Sequence, residues 1–267
     1  MRDSVPASLE VPAKMNGDLS GRVALVTGAS AGLGARFARV LAAAGATVAI
    51  GARRTDRLAA LAAELTQAGA RAHAIALDVT RQDSIRAALE ETERLAGPVD
   101  LLVNNSGVST ETPILDTEEA DWDRVLDTNL KGAFLVSQAV ARRLRDTGRP
   151  GSIINIASIL GLRQGSALTS YAVSKAGLVQ LTKQMALELA RYRIRVNAIA
   201  PGYIRTDMNR EFFDSGRGDA MLKRIPQRRL GEPAELDAPL LLLAGESGAF
   251  MTGSVIVVDG GHLVSSL

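Results

Sequence analysis

A doubly wound α/β fold, one parallel seven-stranded sheet with helices on both faces, is what this chain predicts. Short β-branched runs alternate with longer Ala- and Leu-rich segments of helical period. The strand runs are apolar along their whole length, as in Val23-Ala24-Leu25-Val26, which suits a sheet covered on both sides. A Gly-rich turn follows the first such run and opens the first helical segment. Strict βαβα alternation with right-handed crossovers gives the doubly wound arrangement.

The spacing predicts strands over 22–28, 46–52, 72–77, 99–104, 152–158, 195–200 and 254–258. Helices are predicted over 32–44, 55–68, 83–95, 118–145, 170–191 and 234–243. Gly45 and Gly69 stand where a helix C-cap needs positive φ. Asp83 is the expected N-cap of the third helix. Thr117-Glu118-Glu119 brings acid to the start of the fourth, favourable to the helix dipole. Residues 1–20, small and polar with a second candidate start at Met15, read as a disordered extension. Residues 21–267 show no repeat and no linker, so one domain is expected. Residues 203–231 break the pattern with mixed aromatics, Met, Gly and charge; such a long irregular segment is usually functional, here a substrate lid.

Composition narrows the chemistry. Lys and Arg number 31 against 29 acids, a net +2 with no basic block, which argues against a nucleic-acid partner. Hydrophobic residues make up 46%, enough for a large core. With no cysteine, disulfides, thiolate catalysis and Cys-ligated zinc are excluded, which fits a reducing compartment. His73 and His262 are the only histidines, both expected to be structural or solvated, so no metal is expected. The N-terminus lacks an apolar signal core, and the aliphatic run at 240–244 is far too short to span a bilayer. A cytoplasmic protein with no membrane partner is the expectation.

Residues Thr27-Gly28-Ala29-Ser30-Ala31-Gly32-Leu33-Gly34 join the first strand to the first helix. Glycines let backbone approach a pyrophosphate, and the helix N-terminus offers free N–H groups to the anion. The spacing is G-x-x-x-G-x-G rather than G-x-G-x-x-G. NAD sites place an acid at the end of the second strand, about 20 residues on. Here Ala52 stands in that place, followed by Arg53 and Arg54. A guanidinium accepts a 2′-phosphate that a carboxylate would repel, so NADP is favoured, through Arg53 first and Arg54 second, with NAD the alternative. Asp78-Val79 follows the third strand, where it can receive an adenine edge. Asn104-Asn105-Ser106-Gly107 follows the fourth, where amides can tie strands together and the Gly lets backbone pass near the cofactor.

Tyr171 and Lys175 lie one turn apart on one helix face. A phenol with a pKa near 10 handles protons poorly at neutral pH, and a nearby ammonium lowers that value. Tyr192 and Tyr203 lack a Lys at this spacing. Ser158 ends the fifth strand run at the edge where α/β sheets bind ligands.

From about Leu19 onward the chain resembles the short-chain dehydrogenases/reductases, in the single-domain Rossmann branch of about 250 residues. The resemblance rests on the glycine motif, Asp78-Val79, residues 104–107, Asn129, Ser158, Tyr171 with Lys175, and Pro201-Gly202 followed by Thr206. It implies that Tyr171 exchanges the proton of the substrate oxygen while hydride moves, with Ser158 hydrogen-bonding that oxygen. Lys175 would lower the Tyr171 pKa and hold the nicotinamide ribose, and Asn129 would bind a water linking Lys175 to solvent. Gly28, Ser30, Gly32, Leu33, Gly34, Asn105 and Gly107 would line the dinucleotide. Pro201, Gly202, Ile204 and Thr206 would position the nicotinamide end. Ser106 replaces a commoner Ala, and Ala31 stands where many NADP-dependent relatives carry a base, which leaves the phosphate to Arg53, Arg54 and Ser30. A homotetramer is the family expectation.

Trp122 and Phe134 read as core or interface residues, and Asp259-Gly260-Gly261 as a turn. Met208, Phe212, Phe213 and Met221 in the irregular segment suggest an apolar lid. A small or medium carbonyl compound is therefore the first substrate class. A 3-oxoacyl thioester on a carrier is the second, with Arg142, Arg143 and Arg149 as candidates for a basic mouth. A catalytically silent dinucleotide binder is the competing class.

Overall fold

The computed structural model describes residues 17–206, 213 and 218–265. Seven parallel strands run β1 Val23–Thr27, β2 Thr47–Ala52, β3 Ala72–Ala76, β4 Leu101–Asn104, β5 Gly151–Ile156, β6 Ile194–Pro201 and β7 Val255–Val258. Their order in the sheet is β3-β2-β1-β4-β5-β6-β7. The direction of winding reverses between β1 and β4, so a crevice opens beyond the carboxyl ends of those neighbours.

The helices are α1 Gly32–Ala43, α2 Thr55–Gln67, α3 Gln82–Ala96, α4 Glu119–Leu126, α5 Gly132–Asp146, α6 Thr169–Leu189, α7 Asp219–Leu222 and α8 Asp237–Ala244. Phe37 and Leu41 of α1, Leu58 of α2 and Leu240 of α8 pack on one face of the sheet. Leu89 of α3, Val140 and Leu144 of α5 and Met185 of α6 pack on the other. Fully apolar strands such as Val23–Thr27 are buried because both faces are covered.

Gly45 and Gly69 do take positive φ, +95° and +86°. Asp83 is no cap: α3 starts one residue earlier, behind Arg81, and Asp83 sits in its first turn paired with Arg81. The helix expected over 118–145 is interrupted by a π turn at Asp127–Lys131. Residues 1–16 lie outside the described part, but 17–20 belong to the domain. Leu19 is buried in the core and its N–H bonds Ala44 O at 2.7 Å. His73 is half-buried on β3.

A buried polar ladder ties the sheet to α5 and α6 just below the crevice. Asn104 Nδ2 donates to Asn155 Oδ1 (2.9 Å) on the adjacent strand and to Ser137 Oγ (2.8 Å) on α5. Asn155 Nδ2 in turn donates to Thr182 Oγ1 (2.9 Å) on α6.

Candidate active site

The crevice floor is built by backbone contact. At Gly34 a Cβ would stand 2.5 Å from both Asn105 Nδ2 and Gly28 O, so only glycine lets α1 sit this close to the loop after β4. Asn105 Nδ2 donates to Thr27 O (3.1 Å) and Gly28 O (3.3 Å), the inter-strand tie expected of this segment. No acid occupies the first turn of α1, so its free N–H groups face the crevice uncompensated. This close-packed turn ahead of a helix N-terminus fits a dinucleotide pyrophosphate.

Arg54 reaches back from the end of β2 to Ser30 Oγ, with Nη2 at 2.8 Å and Nε at 3.2 Å. Arg53, the first choice from sequence, instead exerts its charge on Asp78. Burial would raise Asp78, but hydrogen bonds from Thr80 together with Arg53 and Arg81 hold it below the usual carboxylate range. Val79 is buried beside it. Two cations thus flank the end of β2, one joined to the glycine turn and one beside Asp78.

Across the crevice, Ser158 follows β5 and Tyr171 and Lys175 share the first turns of α6. The Ser158 hydroxyl accepts from Leu160 N at 3.1 Å and lies near enough to the Tyr171 phenol to hold its pKa down against burial. Lys175 is buried, its Nζ donating to Ile156 O at 2.7 Å and standing 5.7 Å from the Tyr171 ring centre. Burial lowers Lys175 to about 8. Burial raises the phenol, Ser158 opposes this, and the nearby Tyr203 adds to it.

Asn129 lies in the π turn, fully buried. Its Oδ1 accepts from Val108 N (2.8 Å), and its Nδ2 donates to Val108 O (2.9 Å) and Ser174 Oγ (3.0 Å). A Cβ at Gly107 would stand 3.4 Å from Asn129 Oδ1 and 3.7 Å from Lys175 Nζ, which brings the loop after β4 against both.

Pro201 ends β6 and Gly202 N bonds Val258 O at 2.9 Å. Ile204 is buried and pairs with Gly231, closing the irregular segment at its base, with Thr206 two residues on. Within that segment Phe213 is buried against Tyr203, ring centres 6.3 Å apart, while Met221 lies on the short α7. Met208 and Phe212 lie outside the described residues. Arg142, Arg143 and Arg149 do not form a basic mouth. Arg143 pairs with Glu93 (2.8 Å) and Arg149 with Asp100 (3.6 Å), near the amino ends of β4 and β5, opposite to Ser158. Arg142 lines a groove between α5 and α6.

Sequence reasoning missed a polar group beyond Tyr171. Tyr203 after β6 and His262 after β7 bring their ring centres within 5.7 Å, and Glu111 after β4 and Arg163 after β5 act on Tyr203 by charge, each from a different loop and without a shared spacing. Asp259 makes the expected turn, accepting from Gly261 N (2.8 Å) and Leu263 N (2.6 Å), which sets His262 against Tyr203.

A dinucleotide crevice facing a buried Ser–Tyr–Lys group defines an oxidoreductase that moves hydride between cofactor and carbonyl. The short chain dehydrogenase family model matches residues 22–216, and the chain belongs to that family. It is 39% identical to 3-oxoacyl-(acyl-carrier-protein) reductase from Thermotoga maritima, covering 92% of this chain and 99% of the relative. Identity to 2-dehydro-3-deoxy-D-gluconate 5-dehydrogenase of Escherichia coli is 38%, covering 92% and 96%. The solved gluconate 5-dehydrogenase from Burkholderia cenocepacia, in complex with NADP and tartrate, is 37% identical. It superposes with a TM-score of 0.89 over 94% of this chain and 98% of that one.

Proposed function

We propose that the protein is an NADP-dependent oxidoreductase that interconverts a secondary alcohol and a ketone on a small carbonyl compound. The observation that carries the cofactor choice is the Arg54–Ser30 contact at 2.8 Å beside the glycine turn, with no acid at the end of β2. Arg54, Ser30 and Arg53 would hold the 2′-phosphate by charge-assisted hydrogen bonds, where an acid would have selected NAD. The NADP bound to the Burkholderia relative agrees with this. Gly28, Gly32, Leu33, Gly34, Asn105 and Gly107 would line the pyrophosphate and ribose, Asp78 and Val79 the adenine, and Pro201, Gly202, Ile204 and Thr206 the nicotinamide end.

When bound, the cofactor supplies or accepts the hydride at the substrate carbon. Tyr171 Oη gives its proton to the carbonyl oxygen during reduction and takes it back from the alcohol during oxidation. Ser158 hydrogen-bonds that oxygen and Tyr171 together, which orients both and steadies developing charge. Lys175 holds the ribose hydroxyls and opposes the burial that raises Tyr171. Asn129 fixes the loop at Val108 and, with Lys175, completes the route by which Tyr171 regains its proton. The 203–231 segment, closed at Ile204–Gly231, acts as a lid that excludes water.

A 3-oxoacyl thioester is the competing substrate, supported by the Thermotoga relative. Against it, Arg142, Arg143 and Arg149 sit away from the mouth. We also propose a homotetramer, supported by the exposed Phe134 of α5 and Leu187 of α6, and by the exposed Phe250 and Val264 on either side of β7. Among the described residues no helix is long and apolar enough to cross a membrane, and we propose a cytoplasmic site of action.

The test is nicotinamide absorbance with NADPH or NADH against a panel of plain ketones, hydroxyketones, 5-keto-D-gluconate and an acetoacetyl thioester. Tyr171→Phe is expected to lower kcat/KM by about 10³-fold while NADPH affinity stays within twofold. Surviving turnover would refute the assigned acid–base role, and equal NADH and NADPH affinity would refute the phosphate site.

A further inference from the structure

Ser174 immediately precedes Lys175 on α6 and is buried, as is Asn129. Ser174 Oγ donates to Tyr171 O at 2.7 Å and accepts from Asn129 Nδ2 at 3.0 Å. Asn129 gives its other amide hydrogen to Val108 O (2.9 Å) and takes Val108 N on Oδ1 (2.8 Å). An unbroken chain of hydrogen bonds therefore runs from the loop after β4, through the π turn, to the backbone of the helix turn that carries Tyr171 and Lys175.

Two loops rest on that turn. A Cβ at Gly161 would stand 2.7 Å from the Lys175 carbonyl, so the loop after β5 lies directly on helix backbone. A Cβ at Gly107, the neighbour of Val108, would stand 3.7 Å from Lys175 Nζ. Farther along the loop after β4, Thr110 Oγ1 lies 3.1 Å from Ser170 Oγ and Thr112 N donates to Ala167 O at 2.8 Å. Ser174 thus stands where this loop comes closest to the reacting side chains.

The same helix repeats the arrangement farther from the site. Thr182 Oγ1 donates to Leu178 O (2.8 Å) and accepts from Asn155 Nδ2 (2.9 Å), and it too is buried. Both hydroxyls bond back to a helix carbonyl and cap an asparagine amide from another element. They differ in their neighbours, since Ser174 adjoins Lys175 whereas Thr182 lies between the buried Leu178 and Met185.

We propose that Ser174 is a positioning residue for hydride transfer, whose hydroxyl locks the π turn and the loop after β4 in register with Tyr171 and Lys175. This rests on the oxidoreductase reading above. Without the hydroxyl, a buried Asn129 N–H has no acceptor, and the amide regains one only by turning away from Val108. The loop at Gly107 then shifts relative to Lys175, and Tyr171 meets the substrate oxygen off line. A misplacement of about 1 Å at reacting groups can cost about 10²-fold in rate.

Ser174→Ala and Thr182→Val each remove one hydroxyl and strand one Asn N–H, so both should lower the melting temperature. Only Ser174→Ala should alter function. It is expected to lower kcat on the best carbonyl of the panel by about tenfold or more while the carbonyl KM stays within about threefold. Its NADPH dissociation constant should rise about threefold or more, whereas Thr182→Val keeps both quantities within about twofold of wild type. In an Asn129→Ala background, Ser174→Ala should cost less than about twofold further in kcat, because the partner it acts through is already missing. If Ser174→Ala does not fold, Ser174→Cys, which fills the space with a weaker donor and acceptor, is read by the same comparisons. Unchanged kcat and NADPH affinity in a folded Ser174 variant, equal losses in Thr182→Val, or losses that multiply with Asn129→Ala overturn the inference. Should the wild type turn over no carbonyl, the ketone reductase reading falls instead, and the NADPH affinities alone decide the role of Ser174.

Discussion

At the cofactor end of the cleft, residues 27–34 and 104–107 meet through backbone, and a single Cβ at Gly34 would collide with both. At the substrate end, loops after four different strands bring the Tyr203 and His262 rings together, with Glu111 and Arg163 acting on Tyr203 by charge. The first arrangement constrains residue type at Gly28 and Gly34, because close backbone approach there admits glycine alone. The second constrains only where each loop ends, so many residue types can occupy it. One end can therefore stay fixed for one cofactor while the other is free to change substrate.

That contrast can be broken by experiment. Lys175 serves both ends, so Lys175→Met should reduce kcat/KM by about 10³-fold and weaken NADPH binding as well, read by steady-state kinetics and nucleotide fluorescence. An unchanged NADPH affinity would assign Lys175 to the chemical end alone.

The same residue shapes the pH dependence of stability. Burial holds it at about 8 when folded, against an unfolded value near 10.5, so between those values the unfolded chain binds more protons. Its contribution to stability should therefore rise with pH across that window, by about 3 kcal/mol in the cofactor-free protein. It should stay flat below the folded value. Denaturant titrations of wild type and Lys175→Met check this, and a slope common to both would assign it to other groups.

The scaffold below both ends should respond in stability alone. Asn155→Ala leaves Asn104 Nδ2 and Thr182 without their bonds to residue 155, which should cost about 2 kcal/mol by urea unfolding. NADPH affinity should not move. Arg54→Ala is the mildest change, with NADPH dissociation rising about tenfold and NADH unaffected. A matching loss for NADH would mean that Arg54 supports the glycine turn rather than a phosphate.

Much of this architecture is legible in the sequence where a local rule suffices. The strand runs are apolar because both faces are covered, and Tyr171 and Lys175 are visible because one helical turn separates them. The π turn at 127–131 leaves no such mark. Its residues suit a helix, and the distortion accompanies the tertiary bonds of Asn129 to Val108 and Ser174. That Arg54 contacts Ser30 while Arg53 acts on Asp78 is hidden for a similar reason, since it depends on which way two adjacent side chains turn. Asp83 misleads because Arg81, two residues before it, captures its carboxylate. His262 is the furthest from legible, since only the Asp259 turn and Arg163 bring it to Tyr203.

The pairing of Ile204 with Gly231 has a consequence for descent with modification. Arg205 N bonds Gly231 O at 2.8 Å and Gly231 N bonds Tyr203 O at 3.0 Å, so the intervening chain leaves and re-enters the domain at one point. The entropy of closing a loop grows only with the logarithm of its length, about 0.6 kcal/mol for each doubling. Changes of length between these two residues that spare the buried Phe213, Ile225 and Leu230 should thus cost folding little. A lineage can vary the loop here without renegotiating its sheet.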